Sequence, residues 1–292
     1  MTTLVEIDGV LTAPETARVP VLDRGFLYGD SVYEVLRTYE GRLFALESHL
    51  DRLEGSARRL MIDLPDRARI AAAIDRTVGS AGNPESYCRV IVTRGSGPLT
   101  LDPTTAVRPL TIVIVKEFEP FPDWTFDRGV RVMVPTIQRT SPASLDPAIK
   151  SGNYLNSVLA LGEARRGGCF DALMLDGYGR VTEATSSNVF AWKDGTLLTP
   201  PLEVGILSGV TRGLLLELAR ELRLPCEERH LPLTDLLTAD EVLLTSTLRE
   251  VQPVVEVAGR PIGDGAPGPL ARDLRRAFHD RALALVRGTV GR

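Results

Sequence analysis

The sequence predicts an α+β protein with two domains. Short apolar, β-branched runs such as 110–115 are interspersed with a few long helical patterns, which favours sheets packed against helices. The segment 117–124 is rich in proline, phenylalanine and acid, which is typical of a connection between domains. With 292 residues, the chain is long enough for two domains. We expect a small N-terminal domain at 1–118, a linker at 119–129 and a larger domain at 130–292.

The first part of the chain contains mostly strand patterns and two helical ones. Apolar residues from Leu50 to Met61 recur every three or four positions after Ser48, which predicts a helix that starts near this serine. A second helix is predicted at 70–78. Tyr39-Glu40-Gly41-Arg42-Leu43 indicates a hairpin turn. Strands are predicted at 4–7, 10–11, 32–39, 88–93 and 110–115.

The second part of the chain has longer helices, separated by strands and glycine turns. The segment 140–148, with two prolines and two serines, predicts a loop that leads to Lys150. Gly167-Gly168 indicates the end of a helix. Helices are predicted at 154–166, 211–222 and 269–286. Strands are predicted at 130–135, 172–175, 189–192, 196–199, 241–245 and 254–257.

The composition argues against several classes of protein. A net charge of -4 gives no basic face for nucleic acid. The three cysteines are widely spaced and predict no disulfide framework, and the three histidines are too far apart in sequence to predict a zinc site, so we expect no metal. No apolar stretch approaches the length of a membrane span, and the first ten residues lack an apolar signal core. We expect a cytoplasmic protein.

The chain contains only three lysines, and one of them is a candidate nucleophile. An arginine almost never loses its proton, whereas a lysine amine can do so and attack a carbonyl carbon. Lys193 lies in a turn, so we expect it to be solvated, and Lys116 is the polar end of a strand. Lys150 stands among small and polar residues ahead of a helix. Taken alone, it is equally well an ordinary surface lysine.

Two segments have the composition of a phosphate site. Gly205–Arg212 is a glycine-bracketed turn that runs into a helix, where free N–H groups and the Thr211 hydroxyl would meet an anion. The hydroxyls of 245–247 follow a strand and would add donors. Arg52, within the first predicted helix, would clamp a dianion if it pointed inward. The alternatives are a shaped turn with a helix cap, a solvated strand end and a surface arginine.

Glu183 is followed by five small or polar residues before the chain becomes apolar again. Small residues would let a flat ligand approach the backbone, and a carboxylate there would keep a pyridinium nitrogen protonated. The alternative is a solvated carboxylate at a strand end. An amine nucleophile, a carboxylate for a ring nitrogen and a phosphate cradle are together what pyridoxal 5'-phosphate requires.

With these features the sequence resembles the fold-type IV pyridoxal-phosphate enzymes, the class IV aminotransferases. The resemblance covers nearly the whole chain, in order, and implies the D-amino-acid aminotransferase-like fold: a small α/β N-terminal domain, a larger domain with a β-barrel-like core, and a homodimer. The segments that carry it are Asp23-Arg24-Gly25 with 29–34, His49 with Arg52, Lys150-Ser151-Gly152-Asn153-Tyr154, 183–190, 205–212 and Thr245-Ser246-Thr247.

The resemblance implies roles for individual residues. Lys150 would bind the cofactor as a Schiff base and move a proton at the substrate Cα, and Glu183 would pair with the ring nitrogen. The expected cofactor contacts are Arg52, Lys150, Tyr154, Glu183, Leu207, Val210, Thr211, Ser246 and Thr247. The expected substrate contacts are Tyr28, Tyr33, Arg37, Arg89 and Leu248.

Different residues of the sequence favour different classes of substrate. Tyr87-Cys88-Arg89 resembles the Tyr-x-Arg with which branched-chain enzymes accept glutamate, and Leu99 and Leu101 stand where D-amino-acid enzymes carry an Arg-x-His carboxylate trap. Val35 makes its segment more similar in sequence to the D-specific relatives. Lys150 and Tyr154 are four positions apart, whereas branched-chain enzymes usually separate the two residues by five positions. We predict ping-pong transfer between a branched-chain or other apolar amino acid and 2-oxoglutarate. The alternatives are a D-amino-acid or (R)-amine transaminase, an aminodeoxychorismate-type lyase, and a non-catalytic vitamin-B6-binding protein.

Overall fold

The structure of the protein is a computed structural model that describes residues 2–289. The chain forms two compact units. Within the described residues, the first contains 2–119, the short segment Ile149–Asn153 and 282–289, and the second contains Pro120–Ala148 and Tyr154–Arg281. Both units combine strands and helices, which confirms the α+β prediction. The predicted domain bounds at 1–118, 119–129 and 130–292 stay a prediction.

The first unit is built on an antiparallel sheet. Its strands are β1 (Leu4–Ile7), β2 (Val10–Thr12), β3 (Ser31–Tyr39), β4 (Arg42–Leu43), β5 (Ser86–Thr93) and β6 (Thr111–Glu117). They are ordered β2-β1-β6-β5-β3-β4, and every neighbour pairing is antiparallel. Because side chains alternate between the two faces of a strand, each face of β3 and β5 carries a different set of residues.

Three helices belong to the first unit, namely α1 (Arg24–Tyr28), α2 (Leu46–Leu60) and α3 (Arg67–Ala81). A 3₁₀ turn lies at Pro103–Thr105. The prediction that the first long helix starts near Ser48 was two residues late, because Ala45 adopts the left-handed conformation (φ 51°) and starts the helix without a side-chain cap. Helix α3 is capped at its start by Asp66, whose carboxylate accepts a hydrogen bond from the Ala68 N–H, and is followed by Gly82 with φ 61°.

The core of the first unit lies between one face of the sheet and helices α2 and α3. Leu50 and Leu53 of α2 and Ile74 of α3 are fully buried against Val32 and Val90 of the sheet. Their spacing on the helices is the three- and four-residue repeat that is visible in the sequence. This packing leaves the opposite face of β3 and β5 available for polar side chains.

The second unit is built on a nine-stranded sheet. Its strands are β7 (Val130–Met133), β8 (Asp171–Leu175), β9 (Val181–Ala184), β10 (Asn188–Lys193), β11 (Thr196–Thr199), β12 (Cys226–Glu228), β13 (Glu241–Ser246), β14 (Glu250–Val257) and β15 (Arg260–Pro261). The order is β12-β11-β10-β13-β14-β7-β8-β9, with β15 beside β14. Strand β9 is last in this order, yet a tight turn with an Ala184 N–H to Ser187 C=O bond of 2.8 Å returns it to β10. The sheet therefore curls into a half-barrel.

The helices α4 (Trp124–Asp127), α5 (Leu155–Arg166), α6 (Val210–Glu221) and α7 (Leu233–Leu237) belong to the second unit, and α8 (Pro269–Arg287) starts in it. A 3₁₀ turn lies at Leu202–Val204. The three long helices lie within one residue of their predicted bounds, whereas α4, α7 and the strands β9, β12 and β15 were missed. No helix within residues 2–289 is both long and apolar enough to cross a membrane.

We predict that Ile74→Ala destabilises the first unit by about 2–5 kcal/mol, since it removes a fully buried side chain and leaves a cavity. Denaturant unfolding followed by circular dichroism measures the change. Arg69→Ala, an exposed position on the same helix, is the matched control and should change the free energy of unfolding by less than about 0.5 kcal/mol. Equal effects of the two substitutions would contradict this assignment of the core.

Candidate functional site

Lys150 is fixed to strand β3 by its own backbone. The Tyr33 N–H donates to the Lys150 carbonyl at 3.0 Å, and the Gly152 N–H donates to the Ser31 carbonyl at 2.9 Å. The Lys150 N–H donates to the Ser56 hydroxyl of α2 at 3.1 Å. Hydrogen bonds to both backbone groups restrain the backbone of a loop residue. The first unit thus holds Lys150 in a defined place, with 9 % of the residue exposed.

The Lys150 amine lies against an aromatic ring. Its Nζ is 3.4 Å from the Tyr33 hydroxyl and 4.4 Å from the centre of the Tyr33 ring. The other two lysines pair with acids: Lys116 lies 3.4 Å from Glu119 and is partly exposed, and Lys193 donates to Asp235 at 2.8 Å. The prediction of a solvated Lys193 was therefore wrong, because a carboxylate from α7, a helix that the sequence did not reveal, reaches it.

The face of the first sheet opposite the core carries Tyr33, Arg37, Tyr87 and Arg89, which the register of β3 and β5 brings to one side. The Arg89 Nε donates to the Tyr87 hydroxyl at 2.9 Å, and its guanidinium lies 4.6 Å from the centre of the Tyr33 ring. Three of the predicted substrate residues, namely Tyr33, Arg37 and Arg89, thus share one surface with an aromatic and cationic character.

Arg37 and Tyr28 are held by other contacts. The Arg37 guanidinium lies between two rings, 4.0 Å from the centre of Tyr39 and 3.9 Å from that of Phe118. Tyr28 ends helix α1, and the Arg24 guanidinium lies 4.9 Å from its ring centre. Stacking of this kind restricts the Arg37 side chain and leaves its charge intact.

Arg52 belongs to a buried charge cluster on the core face of β3. Its Nε and Nη2 each donate to the Glu34 carboxylate at 2.7 Å, and the His49 Nδ1 lies 2.7 Å from the same carboxylate. Burial alone would raise the pKa of Glu34, but the Arg52 charge and the hydrogen bonds from Arg52 and His49 lower it to about 2. Burial lowers the pKa of His49, and the positive charges of Arg52 and Lys150 lower it further against the effect of Glu34.

Glu183 lies on β9 in the second unit and is nearly completely buried. Its Oε1 accepts a hydrogen bond from Arg139 Nη2 at 2.5 Å, and its Oε2 accepts from Asn188 Nδ2 and from the Leu207 N–H, both at 3.2 Å. A buried carboxylate that accepts from an arginine and two further donors is held in one orientation. Such a group would suit a pyridinium nitrogen.

Arg139 was not identified from the sequence as a site residue. It lies 44 positions before Glu183 and directly ahead of the proline-containing loop, so no short spacing links the two. Its backbone N–H donates to the Leu175 carbonyl at 2.8 Å, which fixes it beside the sheet. The signal that would have found it is chemical: a carboxylate buried in a half-barrel needs a cation nearby.

The start of helix α6 has the features of an anion site. Gly209 precedes the helix and offers no side-chain cap, so the first N–H groups, those of Val210 and Thr211 among them, have no such acceptor. The Thr211 Oγ1 is buried and has no hydrogen-bond partner within the described residues. A Cβ at position 209 would lie 2.0 Å from the Asn188 Oδ1, so only glycine lets the backbone come this close. These features fit a phosphate group.

The end of strand β13 lies next to this helix start. Thr245 is the register partner of Asn188, the residue that contacts both Glu183 and Gly209. The Thr245 Oγ1 is also buried without a partner in the described part of the chain, whereas the Ser246 Oγ accepts from the Arg249 N–H at 3.3 Å. Thr247 and Leu248 follow in the turn that leads to β14. The predicted hydroxyls and the helix terminus thus belong to one end of the half-barrel.

Tyr154 precedes α5 as its N-cap residue and is half-buried, with φ -97° and ψ 5°. Its backbone places it at the start of the helix that follows the Lys150 segment. The described residues contain no group of three or more histidine, cysteine, aspartate or glutamate side chains that could hold a metal ion. Whether the named residues act in cofactor and substrate binding stays a prediction.

The low pKa of Glu34 predicts a loss of stability in acid. The ordinary pKa is 4.5 and the folded value about 2, so the ionised carboxylate favours the folded state above pH 4.5. This contribution, about 3 kcal/mol, is expected to disappear as the pH falls from 4.5 to about 2. Urea unfolding between pH 6 and pH 2.5 should show Glu34→Gln to be less stable at pH 6, with a shallower dependence on pH. Asp63→Asn changes an exposed carboxylate and is the control; its free energy of unfolding should depend on pH as that of the native protein does. If Glu34→Gln also kept the native dependence on pH, the assignment of this effect to Glu34 would be contradicted.

Comparison with known proteins identifies the family. The amino-transferase class IV family matches residues 31–257. The "Putative branched-chain-amino-acid aminotransferase" of Methanocaldococcus jannaschii is 38 % identical over 94 % of this chain and 95 % of its own length. The D-alanine aminotransferase of Bacillus licheniformis is 34 % identical over 98 % of this chain and 99 % of its own.

Solved structures agree with the sequence relatives. The T.th. branched-chain amino acid aminotransferase has been solved with pyridoxamine 5'-phosphate (TM-score 0.92) and with N-(5'-phosphopyridoxyl)-L-glutamate (TM-score 0.90). Both structures are 30 % identical to this chain and match 99 % of it and 95 % of the solved chain. The predicted fold class, aminotransferase activity and cofactor are thereby confirmed. The chain belongs to the class IV aminotransferases, enzymes of fold type IV that depend on pyridoxal 5'-phosphate.

Proposed function

We propose that the enzyme transfers an amino group between a branched-chain or other apolar amino acid and 2-oxoglutarate in a ping-pong cycle. The observation that carries this proposal is the setting of Lys150, whose backbone is bonded to β3 and α2 and whose amine lies 3.4 Å from the Tyr33 hydroxyl. When bound, pyridoxal 5'-phosphate supplies an electron sink for negative charge at the substrate Cα. The protein must hold this group, orient the substrate and move protons.

Lys150 is proposed to hold the cofactor through Nζ and then to act on the substrate. As a free amine it would take a proton from the substrate Cα and later return one, as a general base and then a general acid. The Tyr33 ring and hydroxyl restrict where this amine can lie. The burial of Lys150 supports this role, because an amine shielded from water is better placed to hold a covalent bond to a carbonyl carbon.

Glu183 is proposed to hold a proton on the cofactor ring nitrogen. Its pairing with Arg139 keeps the carboxylate anionic, and Asn188 and the Leu207 N–H orient it. The phosphate would be held by the N–H groups of Val210 and Thr211 with the Thr211 hydroxyl, an arrangement that the uncapped start of α6 supports.

Further cofactor contacts are proposed on the evidence of position alone. Ser246 ends strand β13 and Thr247 follows it in the turn, next to Thr245, which pairs with the start of β10. Tyr154 precedes α5. Arg52 directs two of its N–H groups to Glu34 and is partly exposed. We propose that Glu34 and His49 fix the orientation in which Arg52 meets the phosphate.

The choice of substrate rests on the face of β3 and β5. Arg89, held by Tyr87 and Tyr33, is proposed to accept the side-chain carboxylate of glutamate, while Tyr33 offers an apolar surface for leucine-like side chains. Arg37, Tyr28 and Leu248 are proposed to complete the substrate contacts. The likeness to a branched-chain enzyme solved with a phosphopyridoxyl-L-glutamate supports this choice.

A D-amino-acid transaminase is the second candidate, because a D-alanine aminotransferase aligns over 98 % of this chain at 34 % identity. Leu99 and Leu101 are exposed residues in the loop where the D-specific relatives carry an Arg-x-His trap, which favours the first candidate. Substrate handedness depends on which side of the cofactor ring holds the substrate carboxylate, and a comparison of L- and D-amino acids measures this directly.

We also propose a homodimer in the cytoplasm. Helix α5 exposes Leu155, Val158 and Leu159, which lie at three- and four-residue spacing and form an apolar stripe. Water-exposed stripes of this kind are commonly covered by another chain. The three cysteines are free, which suits a reducing compartment.

The first prediction of the proposal concerns the side-chain amine of Lys150. Borohydride reduction of the holoenzyme, followed by peptide mapping, should find a pyridoxyl group at Lys150. Lys150→Ala should lose this label and lower the turnover number by roughly 10²–10⁴-fold, because proton transfer at the substrate Cα is lost. Lys116→Ala, the matched control, should retain both. A label at Lys116 or Lys193, or sustained turnover in Lys150→Ala, would end the proposal.

A second prediction concerns the donor. L-Leucine and L-glutamate, mixed separately with holoenzyme, should each bleach the absorbance of the lysine-bound cofactor. Arg89→Gln should lower kcat/KM for L-glutamate by about 10- to 100-fold, the cost of losing a hydrogen bond between charged groups, and leave L-leucine nearly unchanged. Equal losses for the two substrates would remove Arg89 from the site. Bleaching by D-alanine but not by L-leucine would establish the D-specific alternative.

A further inference from the structure

A separate cavity in the second unit is formed by residues to which the proposed amino-transfer assigns no role. Its volume is about 710 Å³, within the range of small-molecule sites. It lies between helix α4, the start of β7 and the turn that follows α5. All of its lining residues belong to the second unit.

Three arginines give this cavity a positive charge. Arg128, Arg131 and Arg165 line it, no aspartate or glutamate does so, and none of the three forms an ion pair within residues 2–289. Elsewhere in the same unit, Arg139 and Arg249 each pair with a carboxylate at 2.5 Å. Three guanidinium groups that line one cavity without an ion pair among the described residues, in a chain with a net charge of -4, indicate a site for an anion.

The cavity also has an aromatic wall. Trp124 and Phe170 meet edge to face, with ring centres 6.3 Å apart and an angle of 90° between the rings, and 44 % of Trp124 is exposed. The Arg165 guanidinium lies 5.1 Å from the centre of the Phe170 ring. Arg249 lies 5.3 Å from the same centre, but its charge is taken up by Asp171. A large exposed tryptophan beside free cations suits a flat ligand that carries negative charge.

The backbone around the cavity is closely packed. Gly129 has φ 73°, and a Cβ there would lie 2.4 Å from the Val255 Cγ1, so only glycine fits. The Gly168 carbonyl accepts a hydrogen bond from Arg131 Nη2 at 2.9 Å, and Gly168 has φ 70°. This bond restrains the Arg131 side chain across the turn after α5. A restrained guanidinium loses less conformational entropy when an anion binds.

We propose that this cavity binds a phosphate monoester that also carries an aromatic ring and has the size of a nucleoside monophosphate. The phosphate would lie among Arg128, Arg131 and Arg165, since planar guanidinium groups donate in pairs to phosphate oxygens. The ring would lie along Trp124 and Phe170. The proposal does not depend on the identity of the amino donor, and none of the residues that carry it belongs to the proposed amino-transfer site.

The test is calorimetric titration of the holoenzyme with adenosine 5'-phosphate, inorganic phosphate and adenosine. Adenosine 5'-phosphate should bind more tightly than either fragment. Arg131→Gln and Arg165→Gln should each weaken its binding by about tenfold or more, because each removes a charged donor to the phosphate. Arg166→Gln changes the neighbouring arginine on the same helix, which does not line the cavity, and should bind as the native enzyme does.

A second test uses the reactivity of a cysteine and does not depend on calorimetry. Cys169 lines the cavity and Cys226 does not, and both are partly exposed free thiols. Adenosine 5'-phosphate should slow the alkylation of Cys169 by iodoacetamide in native enzyme and not that of Cys226, as peptide mass spectrometry measures. Amino transfer and cofactor content, measured on the same samples, should be unchanged in all three variants, so that failure here is distinct from failure of the proposed function.

The proposal is overturned by any of three results. The first is that adenosine 5'-phosphate does not bind, or binds equally to the native enzyme and to the Arg131, Arg165 and Arg166 variants. The second is that adenosine binds as tightly as its phosphate, which would remove the role of the arginines. The third is that inorganic phosphate binds as tightly as adenosine 5'-phosphate, which would remove the role of the aromatic wall.

Discussion

The hydrogen bond from the Tyr33 N–H to the Lys150 carbonyl is the constraint on which the proposed chemistry of the first unit depends. It joins a five-residue segment, 149–153, to a strand more than a hundred positions earlier in the chain. The same strand, β3, places Tyr33 against the amine on one face and Glu34 among buried cations on the other. One strand therefore positions the proposed nucleophile, the ring beside it and the buried acid that pairs with Arg52.

Local patterns revealed much of this arrangement. The apolar spacing of α2 and α6 predicted these helices to within a few residues, because burial of one face sets that spacing, and Gly167-Gly168 marked the end of α5. The chemical requirements of the cofactor singled out Lys150, Glu183 and Thr211. The structure finds each in a setting that suits its predicted role: an amine beside an aromatic ring, a carboxylate paired with an arginine and a buried hydroxyl without a partner in the described chain.

What the sequence could not show are pairings between distant side chains. Arg139 neutralises Glu183 across 44 positions, and Asn188 serves at once as partner of Glu183 and as the neighbour that requires glycine at 209. Such contacts depend on how the sheet curls, and no spacing in the sequence encodes that curvature. The short strand β9, which carries Glu183, was missed for the same reason: its apolar run is brief and its pairing comes from the closing edge of the half-barrel.

The preference for arginine over lysine has a physical consequence for the site. Buried cations are needed beside Glu34, Asp171 and Glu183, and each is an arginine. An arginine keeps its proton at any physiological pH, so it can balance a carboxylate without offering an amine that reacts with a carbonyl carbon. Lysines in the same places would compete for the cofactor. The other two lysines pair with acids near the ends of their strands, and the buried Lys150 is the amine that we propose forms the covalent bond.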